Sequence, residues 1–110
     1  MTELSSAFAA EVEKANRSEA IKQKIAGWNK TFQLKPADSD PFQVVIEGGS
    51  ARVEMGLANA PVATLIMSSA DMLLMIQGKL DPVQAFFSGK LKIEGNIFEA
   101  QALQAVLSGG

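Results

Sequence analysis

An α+β domain is the fold class this sequence predicts, and three observations predict it. Helical periodicity occupies both ends of the chain and two-residue alternation fills the middle. Helix-start chemistry recurs three times after residue 67. Strands and helices alternate only in part, in the order α-α-β-β-β-β-α-α-β-α, which does not suit a doubly wound parallel fold. With 110 residues, 47% of them hydrophobic and 20% charged, the chain suits one globular domain over 1–110.

The first helix is predicted over 3–15, where Leu4, Phe8, Val12 and Ala15 fall at helical spacing and Thr2 can cap the start. Asn16 and Arg17 interrupt it. Ser18 can cap a second helix that carries Ile21 and Ile25 and stops at Gly27. Alternation then puts Trp28, Phe32 and Leu34 on one face of a strand and Asn29, Thr31, Gln33 and Lys35 on the other. Pro36 and Asp38-Ser39-Asp40-Pro41 read as a polar connection. Phe42, Val44 and Ile46 form the inner face of the next strand, and Gly48-Gly49-Ser50 is a turn. Ala51, Val53, Met55 and Leu57 then alternate with Arg52 and Glu54, completing an antiparallel meander. A fourth strand follows Asn59-Ala60-Pro61, near 62–67.

Ser68 with Asp71 fits a capping box ahead of Met72–Ile76. Asp81, Pro82 and Gln84 supply an N-cap, a first-turn proline and a third-position partner for the next helix. Asn96 with Glu99 fits another box, starting the last helix at Ile97. Between these two helices, Leu91 and Ile93 alternate with Lys90, Lys92 and Glu94 as a fifth strand.

Composition excludes several classes. The chain has no cysteine, histidine or tyrosine, so thiol chemistry, a Ser-His-Asp triad and the usual zinc sites are ruled out. Asp38, Asp40 and Glu47 read as a polar loop, and their spacing fails the calcium-loop pattern. Nothing points to a catalytic residue, a metal or another cofactor. The net charge is −2, Arg17 and Arg52 are the sole arginines, and the lysines are dispersed, which argues against a nucleic-acid surface. The opening segment lacks a basic region, and Ser108-Gly109-Gly110 is no Ser-Lys-Leu type address. A cytoplasmic protein is the expectation.

The back half has too little polar surface. Between Ile97 and Gly110 the sole charge is Glu99, and the run Met72-Leu73-Leu74-Met75-Ile76 leaves its helix without a polar face. The helix near 82–88 adds Val83, Phe86 and Phe87. A helix apolar all round needs cover on two sides. The cover is either the other helices, or something outside the chain: a ligand, a partner or a membrane surface.

The stretch 78–96, GKLDPVQAFFSGKLKIEGN, resembles the signature of the sterol carrier protein 2 (SCP2) family, and Gln101, Leu103, Gln104 and Leu107 resemble its last helix. It is especially similar to the SCP2-like domain fused to peroxisomal multifunctional enzymes. The resemblance implies a five-stranded mixed, mostly antiparallel sheet with about five helices on one face. It further implies an apolar tunnel between sheet and helices and non-enzymatic carriage of a lipid: fatty acid, fatty acyl-CoA, sterol-like or phospholipid. The residues it places along the tunnel are Met72, Leu73, Met75, Ile76, Phe86, Phe87, Phe98, Leu103, Val106 and Leu107. Val44, Ile46, Val53, Met55, Leu65 and Ile93 face them from the strands. Gln101 is assigned either to the ligand's polar end or to solvent. The implied partners are the lipid, a transient membrane surface and a lipid-metabolising enzyme, with the chain a monomer or weak dimer. The competing reading is an interaction module or accessory subunit, whose bare helices bind a protein while any lipid is incidental.

Overall fold

The structure is a computed structural model that describes residues 2–107. The terminal tripeptide Ser108-Gly109-Gly110, read above for an address, lies outside the described residues. The element order is the expected one: α1 (Glu3–Asn16), α2 (Glu19–Ile25), β1 (Lys30–Pro36), β2 (Phe42–Glu47), β3 (Ser50–Met55), β4 (Ala63–Met67), α3 (Ser69–Ile76), α4 (Pro82–Phe87), β5 (Lys92–Gly95) and α5 (Glu99–Leu107). The five strands form one mixed sheet in the order β3-β2-β1-β4-β5. Its pairs are antiparallel except β1–β4, which is parallel.

Alternation sorts the sheet into two faces. Phe32, Leu34, Phe42, Val44, Ile46, Ala63 and Leu65 are buried beneath the helices. Phe8 of α1 meets Phe42 edge-on, with ring centroids 4.9 Å apart. The turn between β2 and β3 holds Gly48 and Gly49 at φ 62° and 78°. That pair of left-handed residues is what a two-residue hairpin matched to strand twist requires. Gly95 ends β5 at φ 91°, where a Cβ would lie 2.8 Å from the Val62 carbonyl oxygen, so β4 and β5 meet closely only with glycine there.

Helix starts follow local chemistry. The Thr2 hydroxyl accepts from Ser5 N–H while the Ser5 hydroxyl accepts from Thr2 N–H, a reciprocal cap closed by serine rather than a carboxylate or amide. Ser68 Oγ accepts from Asp71 N–H at 3.1 Å. Asp81 accepts from Val83 N–H at 2.7 Å, with Pro82 in the first turn.

Four expectations need correction. Pro36 is buried inside β1 and pairs with Met67, rather than belonging to the polar connection. Proline fits there because it ends the strand, where one missing donor is tolerated. Gln33 does lie on the outer face, yet it is only 2% exposed. Its amide donates to the carbonyls of Phe42 and Gly56 and accepts from Ala58 N–H, pinning the loop after β3 over it. β3 ends at Met55, so Leu57 lies outside the strand and is 67% exposed. The last helix begins at Glu99, two residues later than expected. Asn96 Oδ1 accepts from Phe98 N–H at 3.0 Å, so Ile97 and Phe98 form a turn. Glu99 turns instead to Lys30.

Candidate functional site

An apolar cavity of about 250 Å³ lies beside the start of α5. Helix α4 supplies Pro82, Val83, Phe86 and Phe87, β5 supplies Ile93, the turn supplies Ile97 and Phe98, and α5 supplies Ala100 and Gln101. Its position follows from the local chemistry. The Asp81 cap and Pro82 fix where α4 starts. Lys90 and Leu91 N–H both donate to the Ala85 carbonyl, turning the chain sharply from α4 toward β5. Alternation along β5 then sends Ile93 to the cavity side, level with Leu65 of β4. The delayed start of α5 leaves Ile97 and Phe98 as rim rather than wall.

The electrostatics are simple. Gln101 is the one polar side chain of the nine that line the cavity. Glu99, next to the lining, is not directed to it. Its carboxylate lies 3.0 Å from the Lys30 ammonium, both side chains are largely buried, and that ammonium also sits 4.3 Å from the Trp28 ring centroid. The pair fastens the first turn of α5 to β1. Such a site can accept an apolar group by exclusion of water, with one amide for hydrogen bonding. Among the described residues no group of three or more His, Cys, Asp or Glu gathers to hold a metal.

Phe86 and Phe87 stack edge-on, 5.6 Å between centroids. Phe87 is 80% exposed and Phe98 73% exposed, so large apolar surface surrounds the opening.

The residues assigned to a tunnel divide into groups. Phe86, Phe87, Ile93, Phe98 and Gln101 line the cavity. Val44, Ile46, Leu65, Met72, Met75, Ile76, Leu103, Val106 and Leu107 are buried in the closed core, and Val53 and Leu73 are half-buried against it. Met55 is 38% exposed, because it ends an edge strand. The apolar space seen beside the start of α5 is a short cavity at one end of the layer between sheet and helices. Helix α1 packs on both α3 and α5 and supplies the second cover those bare helices need. For α3 and the end of α5, the helices cover one another.

Pro82, Val83, Ile97 and Ala100 were not among the assigned residues. Val83 could have been found, since it shares a helical face with Phe86 and Phe87 at spacings of three and four. Ala100 carries no such signal.

Comparison with known proteins agrees with this architecture. Over 67 residues, 60% of this chain and 9% of the relative, the sequence is 44% identical to mouse peroxisomal multifunctional enzyme type 2. Over 99 residues, 86% of this chain and 18% of the relative, it is 34% identical to bovine sterol carrier protein 2. The chain thus spans less than a fifth of either. The solution structure of sterol carrier protein 2 from Aedes aegypti, described as a complex with palmitate, superposes with a TM-score of 0.72 over 99% of this chain and 98% of that one, at 16% identity. The model of the SCP-2 sterol transfer family matches residues 9–108, so the chain belongs to that family.

Proposed function

We propose that this domain binds the apolar part of a lipid in the cavity between α4, β5 and α5, and carries or presents it without chemical turnover. The observation that carries the reading is the cavity itself: apolar walls, a single amide at Gln101, and a mouth flanked by Phe87 and Phe98. The palmitate complex of the Aedes aegypti relative supports a fatty-acid type of guest. So does size. The space lies just below the ~300 Å³ at which ligand sites usually begin, which suits a slender acyl chain better than a fused ring system. Among the candidates, fatty acid and fatty acyl-CoA are therefore favoured over sterol-like and phospholipid guests. Each methylene buried returns about 0.8 kcal/mol before ordering costs, so micromolar binding, about 8.2 kcal/mol, takes at least roughly ten buried methylenes. Gln101, exposed and on the cavity lining, is the residue proposed to meet the ligand's polar end.

The test is thermal unfolding of delipidated protein with palmitate or palmitoyl-CoA. At a hundredfold excess over Kd, linkage adds about 2.7 kcal/mol. An unfolding entropy of about 0.23 kcal/mol/K for a chain of this length turns that into a shift of ~12 °C. Displacement of a fluorescent fatty acid gives the affinity independently. No shift and no displacement would end the proposal.

A further inference from the structure

We infer that the free edge of β5 is a pairing surface for a second copy of this chain, joined antiparallel about a two-fold axis at Ile93, with Lys92 of each copy opposite Glu94 of the other. This pairing does not depend on what the cavity holds. An edge strand leaves a row of main-chain donors and acceptors open, and folds usually guard it. β3 and β5 are the two edges of the sheet. β3 is guarded: the Asn16 side chain of α1 donates to the Ala51 carbonyl and accepts from Ala51 N–H, both at 2.8 Å. β5 has no such cover. Asn96 N–H donates to the Val62 carbonyl, which sets the ladder so that Lys92 and Glu94 turn their main chain toward β4. Ile93 and Gly95 therefore turn theirs outward, and among the described residues no hydrogen bond reaches those outward groups. Lys92, Glu94 and Gly95 are exposed.

That edge is complementary to itself. An antiparallel pair centred on Ile93 sets Lys92 of one copy directly against Glu94 of the other, and Glu94 against Lys92. Both pairs fall at the close, non-hydrogen-bonded positions, where opposite charges stabilise. Ile93 N–H and C=O exchange hydrogen bonds with the same groups of the second copy. Each Gly95 N–H meets the opposite Leu91 carbonyl, while Leu91 N–H is already given to Ala85, which confines the pairing to this short stretch. A parallel in-register pair would set lysine against lysine, so charge selects the antiparallel arrangement. Neither Lys92 nor Glu94 has an ion-pair partner among the described residues. Ile93 lines the cavity, so the pairing sets two cavities side by side on one face of a continuous sheet. A contact of so few residues makes a weak, transient dimer.

The experiment is sedimentation equilibrium of the delipidated full chain at concentrations up to about 1 mM. The wild-type chain should self-associate. Lys92→Glu and Glu94→Lys each set like charges against each other twice across the axis, and each should weaken association roughly tenfold. Both positions are exposed, so both variants should fold as the wild type does by circular dichroism. Mixed in equal amounts, the two variants should associate with each other at least as tightly as the wild type does with itself, because every lysine then faces a glutamate. The double exchange Lys92→Glu with Glu94→Lys should restore the wild-type constant. The pairing is overturned if the wild-type chain stays monomeric throughout that range. It is also overturned if the two variants associate no better mixed than alone, which would place any dimer contact elsewhere on the chain.

Discussion

Replacing Val83 by phenylalanine separates a cavity from a filled interior. Val83 is half-buried, lines the open space and is not part of the cluster packed on the core. The larger side chain adds roughly four apolar carbons. At about 0.8 kcal/mol for each fully buried one, and with half of that gain realised, stability rises by ~1.5 kcal/mol. For a chain of this length that is a Tm increase of ~6 °C. The new ring takes space the guest needs, so fatty-acid affinity should fall at least tenfold, a loss of about 1.4 kcal/mol. Calorimetry of the delipidated protein and fluorescent fatty-acid displacement read the two effects separately. If the site were already full, overpacking would cost about 1–3 kcal/mol. A lowered Tm with unchanged affinity would therefore refute the cavity argument.

Aspartate at two positions of the last segment should behave differently. Leu103→Asp buries an unpaired charge in the closed core and should leave the chain unfolded by circular dichroism, whereas Phe98→Asp should fold normally and bind fatty acid more weakly. Glu99→Gln leaves the Lys30 ammonium without its carboxylate; a loss of about 1–2 kcal/mol is expected, with faster amide exchange confined first to α5. The Asp38 carboxylate accepts from Ser69 N–H at the start of α3, and that bond holds its pKa below the ordinary 3.8. Its stabilising contribution is therefore complete above 3.8 and disappears as pH falls through the lower folded value. Wild-type and Asp38→Asn urea midpoints should differ near neutral pH and converge as the pH is taken progressively below 3.8.

The order of elements was legible because each strand face and each helix start has a local signature. Phe42, Val44 and Ile46 alternate; Ser68 and Asp81 cap. What failed was long-range. Nothing near Gln33 in sequence announces that its amide is held by Phe42, Gly56 and Ala58. Glu99 looked like a cap partner for Asn96, but Lys30, 69 residues away, claims it. The site was half legible for the same reason. Lack of polar surface marks every residue that needs cover, and it cannot tell Met72, sealed under α1, from Phe87, left open. The signature stretch from Gly78 to Asn96 held the cavity's α4 and β5 walls, while the assigned residues outside it, apart from Phe98 and Gln101, lie away from the cavity.

The parallel β1–β4 pair sets an order of events on the ribosome. β1 emerges early and can join β2 and β3 in a hairpin series, but its other edge has no mate until Ala63–Met67 has been made. For that interval the nascent chain shows a bare row of amides beside Phe32 and Leu34, a template for adhesion to other chains. Helix α1, which packs on β3, is already made by then, whereas α5, which packs on β4, comes later still. A chain stopped before Ala63 thus keeps that edge of β1 open, and slower translation there lengthens its exposure.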